Sequence, residues 1–133
     1  ASLFHLPCAE NSADVLTDVF APIVPEEFFR VLKPGGVMIL AVPGARHLYG
    51  MKEVLYKEPY ENEEHDTAYD GFEYLGRACV QKFITVNGRE NIEALFSMTP
   101  YYWKTDVEGG ERLRALDALG TEIKFDFLVY RKK

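Results

Sequence analysis

The sequence predicts an α/β fold, and three observations carry that expectation. Residues 26–40 read as a short amphipathic helix, a Lys33-Pro34-Gly35-Gly36 turn and a strand. Pro34 cannot continue a helix, and the two glycines let the backbone reverse before the apolar run. Gly36-Val37-Met38-Ile39-Leu40-Ala41-Val42 is continuously apolar, as in a parallel strand covered on both faces. Strand-like and helix-like stretches then alternate to a last strand with clean period-two patterning.

In order along the chain, residues 14–20 form the first strand. Pro22 and Pro25 bracket the turn into helix 26–32, with Pro25 suited to a helix's first turn. Strand 36–42 ends at Pro43-Gly44. A helix over 47–57 places Leu48, Met51, Val54 and Leu55 at helical spacing and stops before Pro59. Residues 59–71 make the longest loop, and its acidic run Glu61-Asn62-Glu63-Glu64-His65-Asp66 reads as solvated, without regular metal-ligand spacing. Residues 72–86 are β-like but interrupted at Gly76, giving one strand with a bulge or two short ones. Asn87-Gly88 suits a hairpin, yet Ile92, Leu95 and Phe96 follow at helical spacing, so a helix over 89–98 is preferred. Asp106 begins another helix, with Leu113, Leu116 and Leu119 on one face and Gly120 as its cap, against the helix-weakening pair Gly109-Gly110. In the last strand Ile123, Phe125, Phe127 and Val129 face one way, and Glu122, Lys124 and Asp126 the other.

A chain of 133 residues, 47% apolar and 14% aromatic, has material for one core and hence one domain. No run approaches the ~20 apolar residues of a membrane span, and no basic-then-apolar leader is present; a cytosolic protein without membrane contact is expected. Cys8 and Cys79 lack CxxC spacing and read as ordinary thiols, and a zinc site from Cys8 and His5 lacks further ligands in register. The net charge of −6 argues against a chain that grips nucleic acid by itself. The basic tail Arg131-Lys132-Lys133 reads as solvated.

The Lys-Pro-Gly-Gly turn, preceded by Leu6-Pro7 and by the strand Asp14-Val15-Leu16-Thr17-Asp18-Val19-Phe20, resembles strands four and five of class I AdoMet-dependent methyltransferases. That resemblance implies the C-terminal half of a Rossmann-like sheet, ordered four, five, seven, six, with the last strand antiparallel. Strands one to three, the glycine-rich cofactor loop and the acidic ribose ligand lie outside these residues, and no GxGxG-like run is present. The chain starts at Ala1 without a methionine, as a fragment of a longer protein does.

Pro43-Gly44-Ala45-Arg46-His47-Leu48, Leu55-Tyr56-Lys57-Glu58 and Met98-Thr99-Pro100-Tyr101-Tyr102-Trp103 resemble, more narrowly, the large-subunit rRNA guanine-N1 methyltransferases. The resemblance implies S-adenosyl-L-methionine (AdoMet) as the cofactor of the longer protein and large-subunit rRNA as its partner. It also implies a zinc module upstream of these residues that helps hold RNA. On that reading the fragment alone is inactive, and its acidic charge is no contradiction.

Ligands of open α/β sheets lie at the carboxyl ends of the parallel strands. Past strand 36–42, His47 at a helix start can donate to the AdoMet carboxylate beside free backbone N–H groups, or it merely caps the helix. By resemblance it is a cofactor contact, and Ser2 and Leu3 border the adenine. Arg46 is a companion for a phosphate or the target base, or a solvated arginine. Past strand 14–20 the sequence Phe20-Ala21-Pro22 departs from the Asn-Pro-Pro-Tyr motif of many nucleic-acid methyltransferases. Guanine N1 must lose its proton as the methyl arrives, and Asp18 is the candidate acceptor. Of the aromatic cluster, Trp103 and one tyrosine are assigned to the core, and Thr99 or Tyr101 to the flipped base.

Two other functions stay open. Quinone-type small-molecule methyltransferases share the Leu-Pro and Lys-Pro-Gly-Gly segments, and a half-sheet can also serve as a non-enzymatic interaction module. Without strands one to three, strand 14–20 becomes a bare edge, and a homodimer through it is expected, unless residues 1–8 fold across it.

Overall fold

A computed structural model describes residues 2–63 and 68–133. The elements run β1 Ala13–Val19, α1 Pro25–Val31, β2 Leu32–Pro43, α2 Tyr49–Leu55, β3 Phe72–Asn87, α3 Arg89–Ser97, α4 Tyr101–Lys104, α5 Val107–Arg114 and β4 Ala118–Lys132. The four strands form one sheet in the order β1-β2-β4-β3. β1 pairs parallel to β2, with Asp18 beside Leu40. β4 pairs antiparallel to β2, with Leu128 beside the same Leu40. This is the order expected of strands four, five, seven and six. The chain divides into two compact units, residues 1–43, 64–79 and 125–133 in the first, and 44–63 with 80–124 in the second.

In the first unit, Phe28, Leu32, Met38, Leu40, Val42, Phe72, Leu128 and Tyr130 form the core. α1 begins at Pro25, carries Glu26 and Glu27 in its first turn and Arg30 in its last, and so matches its dipole at both ends. The Pro34-Gly35-Gly36 turn is drawn into β2. The pairing jumps from Ala13–Leu32 to Val15–Val37, and Gly35 takes φ +78° in the bulge. Along β4 the alternation is as read, but at its end the fully buried face is that of Asp126, Leu128, Tyr130 and Lys132, leaving Phe125, Phe127 and Val129 half-buried. Polar partners make this possible. Asp126 Oδ2 accepts from Arg77 at 3.3 Å. The Lys132 amine donates to Asn11 Oδ1, Phe29 O and Leu32 O at 3.0, 2.7 and 2.8 Å and sits over the Phe29 ring. Lys132 therefore satisfies carbonyls at the C-terminal end of α1; the solvated reading of that lysine was wrong.

In the second unit, Leu48, Met51, Leu55, Ile92, Phe96, Tyr101, Leu113 and Leu119 form the core. α2 is shorter than the 47–57 predicted, because Leu48 takes left-handed angles of φ 56°, ψ 26° and helical geometry starts at Tyr49. Asp106 caps α5 as expected, its Oδ1 accepting the Gly109 N–H at 2.7 Å. The helix ends at Arg114, however, and Leu119 and Gly120 belong to β4. Leu119 and Thr121 are buried with Gly120 exposed between them, which is strand alternation rather than a helical face. α4, a single turn on Tyr101–Lys104, was not foreseen.

Candidate functional site

Each unit holds part of the predicted site. In the first, Asp18 lies near the carboxyl end of β1 and is buried. Burial raises its pKa above the usual value, opposed by a hydrogen bond from the Ala21 backbone. A carboxylate made more basic by desolvation suits a proton acceptor. Ser2 is exposed and folds back on itself, Oγ accepting the Phe4 N–H at 3.2 Å and its carbonyl accepting His5 N–H at 3.0 Å. Leu3 packs against the first core. Leu6 and Cys8 are tied to α1. Glu27 Oε1 accepts the Leu6 N–H at 2.9 Å, and Arg30 donates to the carbonyls of Cys8 and Leu6. Cys8 is exposed, and among the described residues no three His, Cys, Asp or Glu side chains come together as for a metal. Part of the acidic run, Glu64-His65-Asp66, lies outside the described residues.

In the second unit the chain leaves β2 through a tight turn, residues 44–48, that is held on two sides. From β4, Lys124 O accepts the Gly44 N–H at 2.7 Å and Glu122 O accepts the Leu48 N–H at 2.8 Å. The Lys124 N–H donates to His47 Nδ1 at 3.1 Å. From the loop, the Asn62 N–H donates to Ala45 O at 2.8 Å, and Asn62 Nδ2 donates to Gly44 O at 2.9 Å. His47 thus precedes the helix instead of opening it. Its acceptor Nδ1 fixes the neutral tautomer that carries the proton on Nε2. Burial, and then the charge of Lys52, keep its pKa below the ordinary value.

The Arg46 side chain is 42% exposed but already paired. Its guanidinium meets Glu122 at 3.2 Å and Glu61 at 3.3 Å and lies 3.9 Å from the Tyr49 ring centroid. An incoming anion would compete with those carboxylates for the guanidinium. Thr99 is buried, and its hydroxyl donates to Phe96 O at 2.8 Å. The split proposed for the aromatic cluster is reversed in exposure: Tyr101 is buried at 8% and Trp103 is 83% exposed. Tyr101 packs edge-on to Tyr56 and near the Lys52 amine.

Lys52 and Asn62 were missed by the sequence reading. The signal was there: Leu48, Met51, Lys52 and Leu55 fall at i, i+3, i+4 and i+7, so Lys52 lies on the apolar stripe.

No protein-family profile matches the chain. Among curated proteins, a Bacillus subtilis (strain 168) protein provisionally named as a 23S rRNA (guanine-N(1)-)-methyltransferase is 23% identical over 136 positions, covering 99% of this chain and 48% of its own length. A Micromonospora griseorubida protein with the same provisional name is 31% identical, over 77% of this chain and 36% of its own. The 23S rRNA (guanine(748)-N(1))-methyltransferase of Streptomyces fradiae is 24% identical, over 77% of this chain and 38% of its own. The chain therefore spans between 36% and 48% of these relatives. A crystal structure of a protein from Bacillus halodurans C-125, provisionally described as a methyltransferase, superposes with a TM-score of 0.55 at 18% identity, covering 99% of this chain and 69% of that one. The fold is that of a methyltransferase.

Proposed function

We propose, from the premise that this chain is a relative of the 23S rRNA guanine-N1 methyltransferases over their C-terminal part, that it is the C-terminal part of an AdoMet-dependent enzyme methylating N1 of a guanine in large-subunit rRNA. The observation that carries the proposal is that three relatives from three organisms bear that one activity in their names. The β1-β2-β4-β3 order of a methyltransferase half-sheet supports it. The enzyme works in the cytoplasm, where its rRNA is made. Zinc belongs to a module outside these residues.

In this reading the 44–48 turn faces AdoMet through His47, and Ser2 and Leu3 border the adenine. Asp18 takes the N1 proton. Arg46, Thr99 and Tyr101 serve the base, with Arg46 exchanging Glu61 for an anionic partner and Thr99 and Tyr101 acting from beneath the surface. AdoMet supplies an electrophilic methyl, and the chain's task is to orient the acceptor nitrogen and take up its proton. By itself the 133-residue chain transfers no methyl group, and through the outer edge of β1 it pairs with a second copy.

The test is to express the reading frame that holds these residues in cells and to map 23S rRNA by primer extension, because a methyl on guanine N1 blocks Watson–Crick pairing and arrests the polymerase. A new arrest at one guanine is expected. Methylation of a quinone-type acceptor with no new arrest would replace this reading by the small-molecule one.

A further inference from the structure

Lys52 is fully buried in α2, and its amine makes a compact set of contacts. It donates to Asn62 Oδ1 at 2.7 Å and to Tyr60 O at 3.0 Å. It lies 4.0 Å from the centroid of the Tyr60 ring and 5.2 Å from that of Tyr101. Among the described residues no carboxylate forms an ion pair with it. Carbonyls and aromatic faces take up the charge instead, and that arrangement is costly unless every donor is directed. Burial lowers its pKa.

Two consequences follow from what these partners hold next. Asn62 passes the anchorage on, since its side-chain N–H₂ and backbone N–H reach Gly44 O and Ala45 O. One amine thus fixes the 60–62 strap, and the strap fixes the turn that carries Arg46 and His47. Tyr101 comes from the Met98–Trp103 segment. The two segments singled out in the sequence, 43–48 and 98–103, therefore meet at Lys52, although they are far apart in the chain.

We propose that Lys52 is a positioning residue, which through Asn62 and Tyr101 locks the 44–48 turn into the single conformation that receives its ligand. The proposal rests on the reading of that turn as the AdoMet-facing one. A lysine that only filled the core would be replaceable by methionine without effect on the strap, because the two have similar length and apolar stems. A positioning lysine would not.

Amide hydrogen exchange on the 133-residue chain separates the two. In Lys52→Met the Asn62 amide, which donates to Ala45 O, is expected to exchange at least about tenfold faster, while the Ile92 amide, inside the same core and bonded to Gly88 O, stays within about twofold. Asn62→Ala, which leaves Lys52 in place, is expected to speed exchange of its own amide likewise, and it decides the matter should Lys52→Met not fold. Unchanged exchange at residue 62 in either folded variant, or equal acceleration at Ile92, overturns the proposal. In the active, longer protein both variants are expected to raise KM for AdoMet about tenfold with kcat within about twofold. Faster exchange at residue 62 with an unchanged KM would leave the tie standing and overturn the AdoMet reading of the turn instead.

Discussion

His47 shows how a residue can be legible in type and misplaced in setting. The Pro-Gly-x-Arg-His-Leu pattern marks it, yet the left-handed Leu48 that separates it from α2 has no signature in a leucine. Its environment yields a pH prediction. Burial first, then Lys52, lowers its pKa below 6.5, so the unfolded chain binds the proton more readily than the folded one. The stability from a neutral His47 is complete above the unfolded value and is lost progressively as the pH falls toward the lower folded one. Urea midpoints at about pH 7.5 and 5.5 should fall for the wild type, and fall less for His47→Gln, which keeps a polar side chain without the titration. An equal fall in both would mean that His47 does not titrate differently on folding. The aromatic cluster gives a second contrast, since composition cannot tell which ring is covered. Tyr101→Ala should cost about 3 kcal/mol in denaturant unfolding by opening a cavity beside Lys52 and Tyr56. Trp103→Ala, at a position 83% exposed, should stay within about 0.5 kcal/mol. The reverse order would restore the core role first assigned to the tryptophan.

Among elements, those with period and punctuation agreeing were readable: β1, α1 between Pro25 and the Lys-Pro-Gly-Gly turn, the apolar β2, and α3. The misread boundaries have physical causes. Leu113, Leu116 and Leu119 fit a helical face, but a strand also buries Leu119, and only the pairing of β4 decides between them. Lys132 and Asp126 looked solvent-facing by residue type, whereas α1 carbonyls and Arg77 take them inside. Long-range acceptors of this kind leave no local pattern. Element packing also makes Gly50 indispensable. A Cβ there would fall on the Gly120 carbonyl oxygen of β4, with Thr121 Cα at 2.8 Å, and neither is the end of a flexible side chain. Although alanine favours helices by up to about 1 kcal/mol over glycine, Gly50→Ala should destabilise by about 2 kcal/mol through this backbone clash. A gain of stability in thermal or urea unfolding would show that α2 can shift from β4 at no cost.

For the whole molecule, the strand order followed from the resemblance to a methyltransferase half-sheet, whereas nothing in the sequence marks the two compact units. The same topology sets the last prediction. β1 stands at the end of the sheet order, parallel to β2, and among the described residues no strand bonds to its outer side. Val15 is 56% exposed and Val19 61%, and a parallel strand with uncovered valines is the kind of edge that recruits another chain. Two copies related by a two-fold axis can pair their β1 edges antiparallel and satisfy the open N–H and C=O groups of that edge in one step. Light scattering over a dilution series should therefore give a mass near twice the 15.2 kDa of one chain, and Val19→Lys, which places a charge on that edge, should shift the mass toward one chain while leaving the far-ultraviolet circular dichroism unchanged. A mass of one chain at every concentration for the unmodified protein would show that the edge is stable in water by itself, and would remove self-association from the account.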